Sequence, residues 1–178
     1  MRRRSVVFVI AVLGGLLLVA SLAVAEGGKV NLKADDLVGY QENPDISTVA
    51  TGSFQVTIDD AAQTLTYELS YAGLEGTVLQ AHIHFGKRAV NGGVSFFLCS
   101  NIGGPAGTPA CPQEGTVSRD DVGADAIIGP TGQGIEPGAF EELVAAMRAG
   151  HTYANVHSTK WPGGEIRAQI NDENLNDD

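Results

Sequence analysis

His82-Ile83-His84, Asn155-Val156-His157 and Gly164-Glu165-Ile166-Arg167 are the strings whose side chains could do chemistry. In each, polar residues alternate with aliphatic ones, the pattern of a strand with one packed and one polar face. On such a strand His82 and His84 project to the same side, roughly 7 Å apart along the backbone. With His157 and Glu165 contributed by two further strands, the imidazoles suit zinc or copper, which take neutral histidine nitrogens. The same residues equally suit a hydrogen-bonded polar cluster, with imidazoles bonded to Glu165, Glu42 or backbone carbonyls and Arg167 paired with a carboxylate. Arg167 tilts the balance toward the cluster, because a fixed cation beside Glu165 competes with a metal for that carboxylate. The sequence leaves both readings open.

The elements that must position these residues are mostly strands. Lys29 to Ala34 alternates and reads as a first strand. Phe54, Val56 and Ile58 alternate with polar residues, Asp59-Asp60-Ala61-Ala62-Gln63 interrupts, and Leu65, Tyr67, Leu69 and Tyr71 resume the period of two. That predicts an antiparallel hairpin with one buried face. Val78 to Phe85 predicts a third strand, with Leu79, Ala81, Ile83 and Phe85 toward the core and His82 and His84 on the opposite face. Val94 to Leu98 predicts another. Residues 100–134 are rich in Gly and Pro, with brief extended pieces at Thr116 to Ser118 and Ala126 to Ile128. A single helix follows, with Pro137 in its first turn, Phe140, Leu143, Val144 and Met147 on one face, and Gly150 as its stop. In the last two strands, Ala154, Val156, Ile166, Ala168 and Ile170 take the core. Tyr153, Asn155, His157, Glu165, Arg167 and Gln169 then face away from it. The expected fold is all-β, an antiparallel β-sandwich or Greek-key barrel with one short helix. If the three polar strands are neighbours and the Gly/Pro-rich segment folds over them, the result is a covered polar pocket.

The chain of 178 residues begins with Arg2, Arg3 and Arg4, then an apolar run from Val6 to Val19, then Ala23-Val24-Ala25. These are the basic region, apolar region and small-residue cleavage site of a secretory signal, so residues 1–25 are expected to be removed. An uncleaved anchor is the alternative, since Ser5 to Ala25 is long enough to span a bilayer as a helix. Removal leaves 178 − 25 = 153 residues, one domain's worth, read as a domain over 26–170 and an acidic tail over 171–178. The leader holds three of the 11 basic residues and none of the 21 acidic ones, so the formal charge becomes 8 − 21 = −13. Such a surface disfavours nucleic acid and anionic lipid as partners. Cys99 and Cys111, in a chain bound for an oxidising compartment, predict a disulfide across the Gly/Pro-rich segment.

There is no Gly-x-Ser-x-Gly elbow, no phosphate-binding glycine loop and no Cys-x-x-Cys. The reading is therefore non-enzymatic. Leu37-Val38-Gly39-Tyr40-Gln41-Glu42-Asn43-Pro44, Ala50-Thr51-Gly52, Ala81-His82-Ile83-His84 with Asn91-Gly92, and Ala149-Gly150 form one set of motifs. Tyr153-Ala154-Asn155-Val156-His157 and Pro162-Gly163-Gly164-Glu165-Ile166-Arg167-Ala168-Gln169-Ile170 complete it. Together they resemble the CHRD domain, a module first named for the animal protein chordin and widespread in exported bacterial proteins. The resemblance spans residues 30–170. Ala168 stands where the family usually has Gly, and Ser158 where Thr is usual, without altering the polar face. The resemblance implies an immunoglobulin-like or superoxide-dismutase-like sandwich and no settled activity. Chordin binds secreted growth factors, and that property does not transfer on this domain. The His-x-His pair is also similar to that of copper/zinc superoxide dismutase, but the further histidines and zinc-loop ligands of that enzyme are missing.

The expectation is an exported, monomeric binding or surface-interaction module, periplasmic or extracellular, with an unidentified protein or surface partner. Its polar patch comprises His82, His84, Asn155, His157, Glu165 and Arg167, with Glu42 beside it. The alternative is an envelope protein that holds copper or zinc through His82, His84 and His157.

Overall fold

The computed structural model describes residues 28–171. The expected leader and the expected acidic tail after Asn171 lie outside the described residues. Period-two alternation becomes the hairpin of β2 (Thr51–Asp59) and β3 (Thr64–Ala72), in continuous register from Thr51↔Ala72 to Asp59↔Thr64. Its seven alternating apolar residues are all buried. The Asp59 carboxylate closes the turn by accepting the Ala62 N–H.

β1 (Lys29–Val38) pairs with β2 and runs further than the predicted Lys29–Ala34. Its register slips between Ala34 and Leu37, a bulge that restores parity, so Leu32, Ala34 and Leu37 all reach the core. β4 (Val78–Phe85) carries a second irregularity. Between Val78 and Gln80 its pairing skips a residue, so Val78 enters the core and Leu79, expected there, is only half-buried. β5 (Gly93–Ser100), β6 (Gly115–Val122), β7 (Thr152–Ser158) and β8 (Ile166–Gln169) complete one antiparallel sheet in the order β5-β4-β7-β8-β1-β2-β3-β6. The sheet curls into a nearly closed barrel or sandwich. The Tyr67 hydroxyl on β3 donates to the Leu98 carbonyl on β5 at 2.5 Å, inside a core that includes Phe54, Phe96 and Leu98.

The helix α1 (Phe140–Arg148) starts after Pro137 rather than with it. Phe140, Leu143, Val144 and Met147 are its buried face, and Gly150, at φ +70°, ends it as a left-handed residue just past the last turn. Ala124–Ala126 is a 3-10 turn, so the extended piece expected at Ala126 to Ile128 begins only at Ile127, where the backbone is extended and the Ile128 N–H bonds the Ser95 carbonyl. Cys99 and Cys111 are joined, S–S 2.02 Å. Asn171 is still tied to the domain, its backbone N–H donating to the Lys33 carbonyl and its side-chain amide to the Arg148 backbone carbonyl. Among the described residues no helix is long and apolar enough to cross a membrane.

Candidate functional site

The sheet order places β4, β7 and β8 side by side, the adjacency that the sequence could not establish. His82 lies directly opposite Asn155, Asn155 opposite Arg167, and His84 opposite Tyr153. His157, two residues from Asn155, is thus the diagonal neighbour of His82, within reach of a long side chain. The rings meet: His82 Nδ1 is 3.1 Å from His157 Nε2, and the centroids lie 4.9 Å (82–157), 5.5 Å (82–84) and 6.0 Å (84–157) apart. One ring nitrogen from each histidine lies within 4.8 Å of the others.

These side chains occupy the face opposite the apolar core, as alternation requires, yet that face is not open. His82, His84 and His157 are 2 %, 8 % and 6 % exposed, and Arg167 is 2 %. The cover is sewn down by three short connections rather than by the Gly/Pro-rich segment. Residues 86–92 bring the Gly92 carbonyl to His84 Nδ1 at 3.0 Å, and the turn after β7 brings the Pro162 carbonyl to His157 Nδ1 at 3.0 Å. Residues 42–44 and 86–92 clasp each other, Asn43 donating to the Ala89 carbonyl and Asn91 to the Asn43 carbonyl. The Gly/Pro-rich segment reaches the edge of this cover through Gln133, which donates to the Phe85 carbonyl and accepts the Gly93 N–H, and the Phe97 ring walls one side of the cluster by its edge-on contact with His82 at 4.3 Å.

The carbonyl partners assign the protons. A carbonyl only accepts, so His84 and His157 carry hydrogen on Nδ1 and present a lone pair on Nε2. His157 Nε2 then accepts from His82 Nδ1, which leaves a lone pair on His82 Nε2 as well. The Nε2 atoms of His82 and His84 are buried without a partner. Burial, reinforced by the neighbouring His157 and His84, pushes His82 down to about 3. Burial likewise pushes His84 down to about 4, against the Gly92 hydrogen bond, and lowers His157. All three are neutral at pH 7, the form in which imidazole ligates.

Arg167 lies beyond Tyr153. Its guanidinium is 4.3 Å from the Tyr153 ring, a cation–π contact, and Tyr153 stacks on His84 at 4.8 Å and 2°. Arg167 Nη1 donates to the Val90 carbonyl and Asn91 Oδ1, while Nη2 is buried without a partner. Arg167 acts on the Glu42 carboxylate. Burial raises Glu42 to about 7, against the pull of Arg167 and the hydrogen bond from Asn155 Nδ2 at 2.6 Å.

Glu165 does not join the cluster. At φ +130°, Gly164 breaks the alternation before β8 begins, and the Glu165 carboxylate turns to Ser158 Oγ, Thr48 Oγ1 (2.9 Å) and the Glu75 N–H (2.7 Å). Ser158 alternates with His157, which puts this carboxylate outside the histidine face. Sequence reasoning also passed over Tyr153, legible as the residue opposite His84 once strand order is known. The Gly92 and Pro162 carbonyls had no side-chain signal to find.

Three neutral nitrogens converging from two strands can hold a transition metal. A tetrahedral zinc at 2.0–2.1 Å needs nitrogens about 3.4 Å apart, so the widest-set pair, within 4.8 Å, must close by up to about 1.4 Å, within reach of side-chain rotation. No curated protein and no solved structure matches the chain. The model of the CHRD domain matches residues 34–170, which include every strand of the barrel but the start of β1, the three histidines and Arg167; the chain belongs to the CHRD domain family.

Proposed function

We propose that this chain is an exported CHRD-domain protein that binds rather than transforms, and that it holds one transition metal ion, copper or zinc, at His82, His84 and His157. The observation that carries this reading is the pair of buried, unpartnered Nε2 lone pairs beside a third histidine. A buried acceptor without a partner costs about 1–3 kcal/mol, and an ion bound at the His82 and His84 Nε2 atoms removes that cost, with His157 Nε2 joining them where it exchanges its hydrogen bond from His82 for the ion. The secretory leader in the sequence and the Cys99–Cys111 disulfide support export. The test is elemental analysis of the purified exported chain, with thermal melts in copper and in zinc beside a His84→Ala variant. One equivalent of metal in the parent, and a metal-dependent rise in Tm that the variant lacks, support the reading. No metal and no rise in the parent overturn it.

A surface-interaction role is favoured by a different observation. Tyr40, Val49 and Val90 are exposed apolar residues, 70 %, 80 % and 47 %, the first two on the connection between β1 and β2 and the third within residues 86–92. In that reading a Tyr40→Ser, Val49→Ser double variant with unchanged Tm no longer sediments with washed producing cells. Equal sedimentation of parent and variant argues against it.

A further inference from the structure

We infer that the three-histidine site, if the metal reading above holds, selects monovalent copper, Cu(I), over divalent zinc. The inference rests on that reading and concerns which ion it means. The first argument is the charge of the donors. Among the described residues the ligand group contains three neutral imidazoles and no carboxylate or thiolate. Both cysteines are in the disulfide. The Glu165 carboxylate is engaged by Ser158, Thr48 and the Glu75 N–H, and Glu42 by Asn155. A zinc ion would therefore keep its full double charge in a buried site. The cost of burying an ion grows as the square of its charge, so the divalent ion costs about four times the monovalent one.

The second argument is the neighbouring cation. Arg167 packs on Tyr153, and the other stacking partner of Tyr153 is His84. The repulsion from that guanidinium is twice as large for a divalent as for a monovalent ion at the same place. The third is coordination number. Zinc takes four ligands, the fourth in an open site being water. Here the Phe97 edge, the Tyr153 face and the covering connections bury the nitrogens away from solvent. Cu(I), a filled-shell ion with no demand for a fourth ligand, is satisfied by two or three imidazoles in a linear or trigonal arrangement. Imidazole is a ligand that both metals accept, so charge and geometry decide between them.

The test is an anaerobic competition with the purified full-length exported chain. Cu(I) is presented as its bicinchoninate complex and Zn(II) as a complex with a chromophoric zinc chelator, each against parent, His84→Ala and His157→Ala. The parent is expected to withdraw one equivalent of Cu(I), with an affinity at least about 100-fold above that for Zn(II), and each variant to lose at least about 100-fold. X-ray absorption of the copper-loaded parent, which needs no variant to fold, is expected to show two or three nitrogen neighbours and no sulfur. Zinc bound as tightly as Cu(I), or copper with four or more light neighbours, overturns the choice of ion and leaves the metal reading standing. Failure of the parent to take either ion overturns both.

Discussion

Replacing Glu165 with Ala separates its role from that of the histidines. The carboxylate is fully buried and accepts from the Ser158 and Thr48 hydroxyls and the Glu75 backbone N–H. It thereby fastens the connection after β3 and the segment before β2 to the end of β7. Hydrogen bonds to a charged acceptor are worth about 1.5–3 kcal/mol each, and a backbone N–H left buried without a partner costs about 1–3 kcal/mol. The hydroxyls can rotate to other acceptors, so the sum is not additive and about 3–5 kcal/mol is the expected loss. For a domain of this size 1 kcal/mol shifts Tm by about 2–4 °C, so Glu165→Ala should melt about 6–20 °C lower. Glu165→Gln keeps one acceptor oxygen and should fall between the two. Differential scanning calorimetry of metal-free protein measures the shift. Cu(I) competition at a temperature where the variant is folded should find parent-like affinity. A variant with unchanged Tm and lost metal affinity would refute the reasoning, because Glu165 would then be a ligand rather than a clamp.

Acid should destabilise the metal-free chain. Folded His82 and His84 stay neutral down to about 3 and about 4, and His157 is also lowered, whereas in the unfolded chain each takes a proton near 6.5. The unfolded state binds more protons in that window, so stability is lost as pH falls below about 6.5, by about 4 kcal/mol at pH 5 for His82 and His84 together. Glu42 acts oppositely: its folded pKa of about 7 exceeds the unfolded value, so its contribution is present at low pH and lost as pH rises through 7, an offset of about 2 kcal/mol over the same interval. Urea midpoints with chelator present should therefore fall from pH 7 to pH 5, and a rising midpoint would contradict the assignment of buried neutral imidazoles. Gly164→Ala should cost about 2–3 kcal/mol in a thermal melt, since its φ is +130° and a Cβ there would lie 2.7 Å from Glu42 Oε1 and 2.8 Å from Asn155 Nδ2. A melt within 1 °C of the parent would show that the Glu42–Asn155 contact is not rigid.

Much of the barrel was legible because its strands alternate cleanly. Phe54 to Ile58, Leu65 to Tyr71 and Ala154 with Val156 point where period two puts them, and Phe140 to Met147 where the helical period does. Three of the misplacements share one cause, a residue that resets parity without a compositional mark. The bulge between Ala34 and Leu37 lengthened β1, the skip at Leu79 exchanged it for Val78, and Gly164 turned Glu165 out of the histidine face. The burial of the polar face was illegible for another reason. Its cover is held largely by backbone carbonyls of Gly92, Pro162, Val90 and Ala89, and every residue type has a carbonyl.

The clasp over the histidines also bears on timing. Residues 86–92 are held by His84, Arg167, Asn43 and the Tyr153 hydroxyl, which accepts the Gly92 N–H. Were an ion seated beneath them, as proposed above, its departure would require several of these bonds to open together, and its residence time would follow the frequency of that opening as well as the strength of the ligand bonds. On the proposed reading, the easiest moment to load such a site would be before the clasp has closed, while the chain is still folding.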